Sequence, residues 1–209
     1  MIQRELAARG RTRDRSEIRH AIAVMKSCVI TFYQGDKEIW TGAILQDLTK
    51  VDRVDYLADA DAHHVARLPL FISHAINNLE YRQFNYARLM SCNEQLTRWI
   101  YKRLVNRFRQ ASITTDYHFM YSEIEQSSGL LQQATKGRNQ QKVISALDEL
   151  KERGVVIKYE PDVRKKGRNI TDIKYTLWAS GEFIGEQKAA NLRATSAKAV
   201  GLKTKLLEK

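Results

Sequence analysis

The stretch KGRNQQKVISALDELKERG (136–154), running on into VVIKYEPDVRKKGRNITDIKYTLW (155–178), decides how this chain folds. Val143, Ile144, Leu147 and Leu150 recur at helical spacing and make one apolar stripe. They predict a long helix over about 138–153, stopped by Gly154. Residues 155–159 then read as a strand, 161–169 as a turn region and 170–178 as the partner strand. There Ile173, Tyr175 and Leu177 alternate with Lys174, Thr176 and Trp178. Upstream, Asn93 is the expected cap of a helix over 94–110, with Leu96, Ile100, Leu104 and Phe108 on one face. Residues 117–121 alternate like a small strand. Ser122 is the expected cap of a short helix to Gln126, which Ser127-Ser128-Gly129 breaks. The order is helix, strand, helix, helix, strand, turn, strand. That is the order of a winged helix, and the expected class is α+β.

Working outward, residues 1–26 read as a basic arm entering a helix, with Ser16 as cap and Ile18, Ile22 and Met25 at helical spacing. The period then switches. Residues 27–35 and 39–48 read as two strands about the turn Gln34-Gly35-Asp36, and 65–71 as a third strand limited by Pro69. Helices are expected at 70–79, 81–92 and 181–193. The reading is of two winged-helix-like units, the first incomplete. The expected boundaries are 1–80, 81–193 and a flexible basic tail over 194–209.

The formal charge of +11 on 209 residues is a statement about partners, and phosphate backbones are the commonest partner for such an excess. The cations cluster. Lys136, Arg138, Asn139, Gln141 and Lys142 stand at the start of the long helix, where they combine phosphate-seeking charge with amides able to read base edges in the major groove. Asp148, Glu149 and Glu152 lie at its far end. Arg164, Lys165, Lys166 and Arg168 crowd the hairpin tip around Gly167, where a flexible loop would hold the backbone. Arg11, Arg13, Arg15 and Arg19 precede or begin the first helix, as groove or phosphate contacts.

Other classes are disfavoured. No phosphate-cradling Gly-rich loop, GxSxG or HExxH occurs, so no enzyme and no cofactor is expected. Cys28 and Cys92 have no partner at metal-ligand spacing and read as reduced thiols. Asp59, Asp61 and His63 suggest a metal, but 55–61 reads better as a solvated acidic loop, and His20, His63, His64, His74 and His118 as surface or packed histidines. No apolar run reaches the roughly 20 residues of a membrane span, and no secretory leader is read, so the expected location is cytoplasmic, without a membrane.

The segments LPLFI (68–72), YRQFNY (81–86), LMS (89–91), LTRWIYKRL (96–104) and ALDEL (146–150) resemble those of plasmid replication initiator proteins of the tandem winged-helix type. The resemblance covers roughly 13–180. It implies binding of double-stranded DNA at repeated origin sites, recruitment of host replication proteins and, in some members, a homodimer acting as repressor. It matches 13–26 to the first recognition helix and 27–72 to the first strands and wing. Three alternatives stand beside it. One is a winged-helix transcriptional regulator with an N-terminal dimerisation region. Another is an RNA binder stacking bases on Phe32, Tyr33 and Trp40. The third is a nicking enzyme.

Overall fold

Residues 2–8, 10, 12–49, 65–77, 81–167 and 169–207 are described in a computed structural model. It shows an α+β protein dividing into two units, Met1–Glu80 and Tyr81–Lys209.

The first unit holds helices α1 (Ile2–Ala8) and α2 (Arg15–Ser27), strands β1 (Val29–Gln34), β2 (Lys37–Ala43), β3 (Asp47–Thr49) and β4 (Val65–Arg67), and helix α3 (Leu70–Asn77). Asp14, not Ser16, caps α2. Its carboxylate accepts the Glu17 N–H at 2.8 Å, and Glu17 returns the bond to the Asp14 N–H at 3.0 Å. This reciprocal box beats a lone serine because it satisfies two orphan donors at once. The strands β1 and β2 pair antiparallel with a shift between Phe32 and Tyr33, and β3 pairs with β4 separately. The second and third expected strands end early, at Ala43 and at Arg67 ahead of Pro69. No residue of α2 is buried.

The second unit runs α4 (Tyr86–Ser91), α5 (Gln95–Arg107), β5 (Asp116–Met120), α6 (Tyr121–Ser128), α7 (Lys136–Glu152), β6 (Val156–Lys166), β7 (Asn169–Ala179) and α8 (Gly181–Leu207). The sheet order is β5-β7-β6, all antiparallel. Leu96, Ile100 and Leu104 of α5 meet Val143, Leu147 and Leu150 of α7, over Phe119, Tyr175 and Leu177 of the sheet and Phe183 of α8. Gly154 follows α7 at φ +65°, the left-handed end that its position implies.

Three expectations change. The strand β6 runs straight through Pro161, which faces Tyr175, out to Lys166, and Gly167 follows it at φ +64°. Proline is tolerated because β6 is an edge strand with one side free of ladder bonds. The last helix does not stop at 193 but continues to Leu207, through a segment rich in alanine, leucine and lysine that contains no proline. Helices α5 and α6 take their caps from distant carboxylates. Glu149 of α7 accepts the Asn93 N–H at 2.5 Å, the Glu94 N–H at 3.3 Å and the Thr97 hydroxyl at 2.6 Å. Asp172 of β7 accepts the Ser122 N–H at 3.1 Å and its hydroxyl at 2.6 Å. Asn93 and Ser122 are thus donors to a cap rather than caps themselves.

Candidate nucleic-acid interface

Thr135 starts α7 by accepting the Arg138 N–H on its hydroxyl at 3.4 Å. From there the helix presents Lys136, Arg138 and Gln141 to solvent. Ser145 continues the same exposed stripe, seven residues on from Arg138. It was missed because its hydroxyl carries no charge; only the helical period points to it.

Asn139 is a correction. It is 6% exposed, and its amide turns inward, accepting the Gln133 N–H at 2.9 Å and donating to the Gln133 carbonyl at 3.5 Å. It therefore fixes the connection between α6 and α7 and is not on the exposed stripe. Lys142 is half committed in the same way, its Nζ donating to the Leu130 carbonyl at 3.0 Å. Both residues lie about 100° round the helix from the exposed stripe, where side chains meet the preceding loop.

The hairpin differs in character from the expected flexible loop. Its ladder is continuous from Val156 opposite Ala179 out to Lys166 opposite Asn169, apart from two register shifts. Arg164, Lys165 and Lys166 are exposed on a paired ribbon, with Val163 and Ile170 two-fifths exposed beside them. Arg168 lies outside the described residues, as do Arg11, His63, His64 and the acidic stretch 55–61.

The helix start and the ribbon are linked through Asp172. Arg164 is its cross-strand partner, Ser122 of α6 binds its carboxylate, and the Lys136 charge reaches it. Burial alone would raise the Asp172 pKa, but the Ser122 hydroxyl, the Ile173 and Ser122 N–H groups and Lys136 hold it below its ordinary value. The Lys136 ammonium also stands 5.7 Å from the Tyr121 ring centroid. The two cationic groups thus occupy neighbouring positions in the unit.

The charge at the start of α7 opposes its dipole. The first turn carries Lys136 and Arg138 and no acid, while Asp148, Glu149 and Glu152 stand at the other end, with Lys151 among them and Arg153 as the cap. A helix favours the reverse by about 0.3–1 kcal/mol per charge. Gly137 adds a second departure, since glycine costs a helix interior up to about 1 kcal/mol relative to alanine. Such departures from local preference concentrate where function overrides stability. Two of the acids are occupied. Asp148 accepts the Tyr159 hydroxyl at 2.7 Å, and Glu149 caps α5. Burial, with their carboxylate neighbours, pushes the Tyr121, Tyr159 and Tyr175 phenols up to about 12, so all three remain neutral, and Tyr121 and Tyr159 donate to Glu125 and Asp148.

In the first unit, Arg13 forms an exposed ion pair with Glu17 at 2.9 Å. Arg15 and Arg19 are exposed on the first two turns of α2, against the dipole there, which Asp14 and Glu17 offset. Among the described residues no helix is long and apolar enough to cross a membrane. Comparison of the chain with protein-family models, with curated proteins and with solved structures returns no match.

Proposed function

We propose that the second unit is a winged helix that binds double-stranded DNA, with α7 in the major groove and the β6–β7 ribbon along the backbone. The observation that carries this is the cationic start of α7, linked through Asp172 to the ribbon that bears the cationic tip. Lys136 and Arg138 stand where the helix dipole resists them, and Arg164, cross-strand from Asp172, begins the exposed run Arg164, Lys165 and Lys166. A phosphate backbone relieves both conflicts at once. Arg138, Gln141 and Ser145 are the side chains offered to base edges. Lys136, Arg164, Lys165 and Lys166 are offered to phosphates. The finer reading, an initiator at repeated origin sites that engages host replication proteins, rests on the sequence resemblance.

The test is selection of binding sites from a random duplex pool by the full chain, followed by fluorescence anisotropy over a range of salt. The expected result is a selected sequence bound at least about a thousandfold more tightly than random duplex. Arg138→Ala should narrow that gap by about 1–3 kcal/mol. Lys166→Ala should weaken binding to all sequences alike and reduce the salt slope by about 1. Equal affinity for selected and random duplex, with no salt slope, overturns the proposal. Direct repeats among the selected sites favour an initiator, and a single palindrome favours a regulator.

A further inference from the structure

A hollow of about 560 Å³ opens between the segment before α4, the end of α5 and the middle of α8, and it holds an unusual arginine set. The Arg82 guanidinium bonds only neutral acceptors. These are the Val105 carbonyl at 2.6 Å, the Asn191 amide oxygen at 3.0 Å and the Gln187 amide oxygen. Three of its five N–H donors are thereby used and two remain. Arg193, also in the lining, bonds the Gln83 amide oxygen. Arg109 stands nearby, its carbonyl held by Asn191 at 2.9 Å. Burial, and then the charge of Arg109, depress the Arg82 pKa, as expected of cations gathered without an anion. Among the described residues none of these three arginines has a carboxylate partner. The one acid in the lining, Glu186, is engaged by Arg88 at 3.3 Å and by the Asn85 amide at 2.8 Å.

This place is remote from the ribbon tip. Val105 precedes Phe108, which stacks on Tyr117 at 5.5 Å, and Tyr117 pairs with Leu177. Leu177 is eight residues along β7 from Asn169, a span of about 26 Å at strand rise. The hollow therefore lies toward the opposite end of the sheet from Lys166.

We propose that this hollow binds a small phosphate-bearing ligand. Guanidinium forks match phosphate oxygens, and two of them facing one cavity suit a doubly charged group. The volume accommodates more than a bare ion. Phe84, in the lining and 43% exposed, offers a flat apolar surface to a ring carried by the phosphate. The chemistry is that of a phosphate monoester, free or attached to a nucleoside.

The test is calorimetric titration of the full chain with inorganic phosphate and, separately, with adenosine monophosphate and adenosine. Binding of phosphate or of the nucleotide, but not of adenosine, is expected. Arg193→Ala should weaken it by about tenfold or more, the loss of one charge-assisted bond. Arg193 is exposed, so this variant should keep the wild-type melting curve; Arg109→Ala, at an exposed residue outside the lining whose charge reaches Arg82, provides a second probe. Lys166→Ala should leave the affinity unchanged. Tighter binding of the nucleotide than of phosphate, reduced by Phe84→Leu, identifies the nucleoside form; equal affinities identify free phosphate. No binding at millimolar ligand, binding indifferent to both arginine variants, or displacement of the ligand by random duplex overturns the proposal.

Discussion

The second unit closes α5, α7, α8 and a three-stranded sheet on one core, and every buried hydrophobic side chain among the described residues belongs to it. The first unit has a helix of similar length and two two-stranded sheets, yet Val24, Met25, Val29, Tyr33, Ile39 and Leu70 all stand exposed, Leu70 at 80%. Its periods are as clear to the eye as those of the second. The difference teaches that an apolar stripe declares which side of an element is to be covered, but not that something covers it. Two-stranded sheets give little surface to pack on, and stability on their own needs a third strand or a packed helix.

The largest effect expected from this contrast is in the core. Leu147→Ala should destabilise the second unit by about 2–5 kcal/mol. Met25→Ala in the first should change stability by no more than about 0.5 kcal/mol. Urea unfolding followed by tryptophan emission separates the two, since Trp99 and Trp178 report on the second unit and Trp40 on the first. Comparable losses from the two variants would break the contrast.

Next comes the distant cap. Removing the Glu149 carboxylate takes the acceptor from the buried Thr97 hydroxyl and from the part-buried N–H groups of Asn93 and Glu94, so Glu149→Ala should cost about 1–3 kcal/mol. Burial alone would raise this carboxyl, but the bonds from Asn93, Thr97 and Glu94 and the Arg153 charge hold its pKa below its ordinary 4.5. A depressed carboxyl stabilises fully above the unfolded value and loses that contribution as pH falls through the folded one. Glu149→Gln should therefore lower stability across neutral and basic pH and flatten the acid limb below about pH 5, so that the variant's loss shrinks as pH falls. An unchanged acid limb would place the acid sensitivity elsewhere.

Smaller still is Gly137→Ala. An added methyl meets nothing within 4 Å, so it should stabilise α7 by up to about 1 kcal/mol. If the helix start approaches phosphate, the same change should lower duplex affinity, and higher affinity instead would count against that approach. Asp14→Ala should reduce the helical circular dichroism attributable to α2 and leave the Trp99 and Trp178 transition untouched. A shift of that transition would mean that the two units unfold together.

Much of the second unit was legible because its signals are local. The stripe at Leu96, Ile100 and Leu104, the stop at Gly154 and the alternation at Ile173, Tyr175 and Leu177 each need only neighbours in sequence. What was illegible depends on residues far apart. A reader of Asn93 or Ser122 finds a good local cap, but Glu149 and Asp172 arrive from 56 and 50 residues away. Asn139 has the chemistry of a base reader, and only the fold turns its amide onto Gln133. Pro161 reads as a breaker until the sheet order makes its strand an edge.

A ribbon paired to its last residues has no folding left to do when it meets another surface. Its association should be fast and free of an ordering step, with a heat-capacity change set by desolvated area alone. With the ladder paired out to Lys166 and Asn169, the tip should discriminate between surfaces by their shape rather than adapt to them.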